Sequence, residues 1–69
     1  MSKADEMFDE MGYKKIHDNR RRIVYKKRYL SQIEFIMKNK WIDVGNMRIS
    51  IEELKAINEK VKELEWLDE

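Results

Sequence analysis

The hydrophobic period of this chain changes twice, and that limits what it can fold into. At both ends apolar residues recur every three to four positions, whereas in the middle they alternate with charges. The first pattern builds an amphipathic helix and the second a half-buried strand. At the N-terminal end Ala4, Met7, Phe8 and Met11 fall at i, i+3, i+4 and i+7, with Asp5, Glu6, Asp9 and Glu10 between them. Ser2 is placed to cap this helix, the acids suit its first turn, and Gly12 stands where a left-handed residue would end it. At the C-terminal end Ser50 and Glu53 form an S-x-x-E capping box, with Ile49 and Leu54 at the staple positions. Leu54, Ile57, Val61 and Leu64 then repeat at spacings of three, four and three, which predicts a helix over 51–64. Trp66 falls off that stripe, so it either folds back over the edge of a small core or is presented to a partner.

In the middle, Ile23, Tyr25 and Tyr29 alternate with Arg22, Val24, Lys26 and Arg28, and Ile33, Phe35 and Met37 continue such a face. Asp18-Asn19 suits a turn between a strand at 13–17 and one at 21–29. Asn39-Lys40 would turn the chain into a short strand at 41–44, ended by Gly45-Asn46. A helix competes for the same stretch. Ser31 and Glu34 also form a capping box, with Leu30 and Phe35 as its staple, and Leu30, Ile33, Met37, Trp41 and Val44 have helical spacing. Periodicity does not separate the two. The β-branched and aromatic content favours strand, and two acidic helices need a sheet to cover. The expected fold is therefore α+β: an N-terminal helix, a three- to four-stranded antiparallel sheet, and a C-terminal helix packed on one sheet face.

Sixty-nine residues suffice for one small domain spanning 1–69, and a domain of this size buries only about 60% of its unfolded surface. The chain is 42% charged and 42% hydrophobic, an apolar content that argues for folding over disorder. It has no cysteine, so neither disulfides nor thiolate metal sites are available. The polar opening Met1–Glu6 does not read as a signal peptide, and apolar runs of three residues are too short to span a membrane. A cytoplasmic location is expected.

Charge is segregated along the chain. Residues 13–48 carry eleven Lys and Arg against three acids, net +8, while residues 1–12 are net −3 and residues 49–69 net −4.

The segment Ala4-Asp5-Glu6-Met7-Phe8-Asp9-Glu10-Met11-Gly12-Tyr13-Lys14-Lys15 resembles the opening of small proteins encoded by phages and prophages of Gram-positive bacteria. The segment from Ile49 to Leu64, followed by Trp66-Leu67, resembles their closing segment and is the more specific of the two. Glu65 departs from the pattern, standing where a glycine is expected before the Trp. Those proteins are mostly uncharacterised, so the resemblance implies a setting, a phage accessory protein inside its bacterial host, more than an activity.

Chemistry by this chain itself finds little support. A nucleophile needs a positioned base, yet Cys and Thr are absent and Ser2, Ser31 and Ser50 all read as cap or turn residues. His17 is the only histidine and lacks a second ligand at metal spacing. Two glycines thirty-three residues apart form no phosphate loop. No enzyme and no cofactor is expected. Binding remains. Strand alternation puts Arg20, Arg22, Lys26 and Arg28 on one face and Tyr25, Lys27 and Tyr29 on the other. With the tyrosines in the core, the basic face lacks an aromatic platform for stacking bases, which weakens a nucleic-acid reading without removing phosphate contact. A face of Arg22, Val24, Lys26 and Arg28 beside Glu34, Ile36 and Lys38 suits an acidic protein surface instead. Arg20, Arg22, Lys26, Arg28 and Lys38 are therefore the candidate partner-binding residues. The bland alternative is a solvated sheet face whose lysines and arginines keep strands from pairing. Monomer and homodimer both remain open, the latter through a sheet edge or through Trp66 and Leu67.

Overall fold

Both helices form where their capping signals stand. A computed structural model describes residues 2–28, 31–45 and 48–67, in the order α1 (Lys3–Glu10), β1 (Lys14–Asp18), β2 (Arg22–Arg28), β3 (Ser31–Ile36), β4 (Trp41–Val44) and α2 (Ile51–Glu63). The Ser2 hydroxyl accepts the Asp5 amide at 3.0 Å, meeting one of the donors that the first helical turn leaves without a partner. Ser50 and Glu53 close the full capping box at the start of α2. At the end of α1 Gly12 takes φ +93°, its amide bonds the Asp9 carbonyl at 2.9 Å, and the Tyr13 amide bonds the Phe8 carbonyl at 3.0 Å. That is a Schellman ending, with the Phe8 and Tyr13 rings in edge contact as its apolar clasp.

The end of α2 repeats this geometry without the glycine. Glu65 adopts φ +60°, its amide bonds the Lys62 carbonyl, and the Trp66 amide bonds the Val61 carbonyl. The reversal turns Trp66 back onto the core, its ring 6.2 Å from that of Phe35. Left-handed backbone costs a residue with a Cβ about 1–2 kcal/mol. Glu65→Gly is therefore expected to stabilise the chain, by about 1 kcal/mol after the added freedom of the unfolded glycine is subtracted. Urea unfolding of the two chains checks this, and a lower midpoint for the glycine variant would contradict it.

The middle is sheet. Four antiparallel strands stand in the order β1-β2-β3-β4, with Ile23 opposite Phe35, Tyr25 opposite Ile33, and Phe35 opposite Ile42. In a helix Ile33 and Phe35 would point about 200° apart. As alternate residues of a strand both enter the core, and this decides against the competing helix. Asn19 makes the first turn, its side-chain oxygen accepting the Arg21 and Arg22 amides at 2.9 and 3.1 Å. Lys40 takes φ +57° in the turn before β4. Tyr29, Leu30 and Asn46, which the sequence places in a strand, a staple and a turn, lie outside the described residues.

One face of the sheet carries both helices. Phe8 from α1 and Ala56, Ile57 and Val61 from α2 close over Tyr13, Ile23, Tyr25, Ile33 and Phe35. Phe8 stacks on Tyr25 at 4.0 Å, and Phe35 meets each of them edge-on. Burial of each such ring contributes roughly 1.5–3 kcal/mol. Among the described residues no helix lies over the opposite face.

Candidate functional site

Strand pairing assigns the uncovered face. Reading across the sheet, one row is Lys14, Lys26 and Gln32, the next is His17, Val24, Glu34 and Asp43, and the third is Arg22, Ile36 and Trp41. Two irregularities shape it. A bulge at Ile16 restores the register of β1, and a second at Lys27 sets Arg28 opposite Ser31. Because side chains alternate with a period of two, one extra residue sends Arg28 off the face that holds Arg22 and Lys26. The expected single face of Arg20, Arg22, Lys26 and Arg28 is thus corrected at Arg28.

Val24 is a second correction. It is not an exposed contact residue but only 1% accessible, at the centre of the sheet. Arg22 and Lys26 flank it along the strand and His17 and Glu34 sit beside it, and long charged side chains cover apolar surface with their stems. Arg22 is already engaged, 3.4 Å from the Glu34 carboxylate and 3.4 Å from the His17 ring.

The remaining candidates separate into two ends. Lys26 lies roughly 13 Å along β2 from Arg22, beside Lys14 at the far end of the sheet. At the near end the β1–β2 turn and the β3–β4 turn meet, tied by a 3.0 Å hydrogen bond from the Met37 amide to the Arg21 carbonyl. This sets Arg20 and Arg21 beside Lys38, all exposed, and among the described residues none of them forms an ion pair, whereas Lys40 lines the groove between β4 and α2 with Ile42 and Leu54. Beside Arg20, Arg21 and Lys38 on the uncovered face stand half-buried Ile36 and Trp41, the latter 66% exposed. The result is a basic corner with an indole on it.

No family model, curated protein or solved structure matches this chain.

The corner must then be judged on its own chemistry. Trp41 is absent from the candidates that the sequence offers, although a signal for it is present. If a four-residue turn at 37–40 joins the strands, Ile36 faces residue 41, and Trp41 must share the outward face of Ile36. What hid it was the open choice between helix and strand over this stretch.

The strongly perturbed ionisable groups lie elsewhere, under α1. Asp5 accepts the Tyr25 hydroxyl at 2.5 Å and the Lys15 ammonium at 2.9 Å, and Lys60 approaches it at 3.4 Å. Lys60, only 6% exposed, also pairs with Glu63 at 3.2 Å, and Glu63 accepts the Ala4 amide at 3.0 Å. Burial works to raise the Asp5 carboxyl, but the bonds from Tyr25 and Lys15 and the charge of Lys60 outweigh it and hold it at about 2. Burial first, and then Asp5, push the Tyr25 hydroxyl far above its ordinary range. On the other side of the core Glu53 accepts the Tyr13 hydroxyl at 2.7 Å, so the capping box of α2 also holds β1. Perturbed groups often mark active sites. Here every one of them is spent on another, joining α1, β1, β2 and α2. A cleft of about 260 Å³ beside Asp5, Asp9 and Lys15 opens onto this network, whose bonds hold the helices to the sheet.

Proposed function

We propose that this chain is a non-enzymatic binding domain, a phage accessory protein that docks on an acidic surface of a host or phage protein and modulates it. In its sharpest form it is an inhibitor of a bacterial defence enzyme, anti-CRISPR-like in its mode of action. The resemblance of the two terminal segments to phage and prophage proteins supports the setting, and a cytoplasmic site of action belongs to the same reading. One observation carries the chemistry: an exposed Trp41 beside Ile36, at the corner where Arg20, Arg21 and Lys38 form no ion pair among the described residues. Trp and Arg dominate the residues that carry binding energy at protein interfaces. Unpaired cations steer an acidic partner toward them and select against basic ones.

The test is capture from bacterial lysate with three baits. One is the wild type, the second has Arg20, Arg21 and Lys38 changed to Glu, and the third has Lys3, Arg48 and Lys55 changed to Glu as a control of equal charge. A protein held by the first and third and lost by the second supports the reading. Equal loss from both variants would reduce the effect to net charge and contradict it.

Trp41 also favours a second reading. The tyrosines Tyr13 and Tyr25 are core, but Trp41 supplies an exposed aromatic beside the basic residues. A single strand could track the corner's cations and stack a base on the indole. Titrating single-stranded DNA and RNA at two salt concentrations separates the readings. Phosphate contact requires affinity that falls steeply with salt, and absence of binding at low salt eliminates it.

A further inference from the structure

A local rule is broken on the uncovered face. Glu34 of β3 and Asp43 of β4 stand directly opposite each other, and like charges so placed destabilise a sheet. Sequences break such rules most often where function requires it. Arg22 relieves Glu34, reaching its carboxylate at 3.4 Å from the neighbouring strand. Asp43 is exposed, and among the described residues it has no ion pair. It follows Trp41 by two positions in β4, so both project from the same face, with Cα atoms about 7 Å apart. The row of Trp41 lies between the basic corner and the row of Asp43. The exposed indole therefore has cations on one side and a carboxylate on the other.

We propose that Asp43 is a specificity-determining residue of this face, which turns single-stranded nucleic acid away from Trp41 and leaves the indole to a protein. The two kinds of partner differ in how their charge is laid out. A protein surface sets charge side chain by side chain, so it can offer acids to the corner and a neutral or basic group to the indole. A single strand carries a phosphate at every nucleotide. On a path from the corner over the indole, the phosphate before the stacked base meets cations and the one after it meets Asp43. That contact falls well within the Debye length of about 10 Å at 0.1 M salt. Arg22 does not cancel the repulsion, because it is held by Glu34 and His17 on the other side of β3. Partners are sorted by repelling the wrong one as much as by attracting the right one. The proposal rests on the corner as the recognition surface, and states which class of partner that surface admits.

Fluorescence anisotropy of a labelled oligothymidylate at low salt tests this on the full chain, with no captured partner. Removing one charge about 7 Å from a phosphate changes affinity about threefold in the dielectric of water. Asp43→Asn is expected to tighten binding by at least that factor, and Asp43→Lys by about tenfold. Both gains should shrink as salt rises. Glu10→Gln and Glu10→Lys make the same changes of charge at an exposed position of α1, on the helical side, and should leave binding near the wild-type value. Asp43→Asn relieves the opposed carboxylates, so circular dichroism should show an intact fold. Equal affinities for the wild type and both Asp43 variants would overturn the proposal. So would gains from the Glu10 variants as large as those from Asp43. Failure of the corner reading shows separately, as equal capture by the corner variant and its charge control, where Asp43 is unchanged.

Discussion

Replacing Asp5 with alanine is expected to cost about 3 kcal/mol of folding free energy, because it strips the central partner from a buried lysine. A domain of this length has roughly 3–10 kcal/mol in all, so the loss is a large fraction of its stability. Lys60 keeps Glu63 at 3.2 Å, which holds the loss to the lower end of what breaking a buried pair costs. Chemical denaturation of the variant checks the magnitude, and a loss under about 1 kcal/mol would place Asp5 among ordinary surface acids. The same carboxylate predicts the acid behaviour. Its folded value of about 2 lies below the ordinary 3.8, so the folded state binds its proton less readily than the unfolded chain does. The stability it contributes is present above the unfolded value and is lost as pH falls through 3.8 toward 2. That difference corresponds to about 2 kcal/mol. Asp5→Asn should therefore have a shallower decline in stability between pH 5 and pH 2 than the wild type. Superimposable acid limbs would show that Asp5 titrates alike in both states.

Changing Trp41 to alanine is expected to weaken partner binding by about 30-fold or more, the loss of one aromatic anchor at about 2 kcal/mol. Folding should hardly change, since the indole is largely in solvent and lies on the face away from both helices. The charges act differently. Reversing Arg20, Arg21 and Lys38 should slow association and flatten its dependence on salt, because exposed cations guide encounter more than they hold the complex. Arg22 is a poor choice for such a test. Its replacement by Glu would face Glu34, its present partner, and confuse repulsion within the sheet with loss of binding. Unchanged affinity in Trp41→Ala, measured by titration calorimetry with the captured protein, would remove the anchor from the account.

The fold was largely written in local signals. Ser2, Gly12 and the Ser50–Glu53 box act within one helical turn, and period-two alternation put Ile23, Tyr25, Ile33 and Phe35 on one face. Glu65 shows the limit of such reading. Its residue type argues against a left-handed C-cap, yet the backbone takes φ +60° because burying Trp66 against Phe35 rewards the reversal. The candidate site was less legible because it depends on register. The bulges at Ile16 and Lys27 have no Gly or Pro to announce them, and one extra residue takes Arg28 off the face of Arg22 and Lys26. The meeting of the two turns that sets Arg20 and Arg21 beside Lys38 is likewise a matter of pairing across the sheet, with Met37 and Arg21 sixteen positions apart in the chain. Nor could composition tell that Val24 would be covered by its charged neighbours.

If the basic corner, and not the overall charge of the middle segment, recognises a partner as proposed, that partner's affinity for three folded chains is the most direct measurement. These are the wild type, the variant reversed at Arg20, Arg21 and Lys38, and the control reversed at Lys3, Arg48 and Lys55. Affinity retained by the control and lost by the corner variant is the predicted result. Equal affinities for the two reversed chains would contradict it.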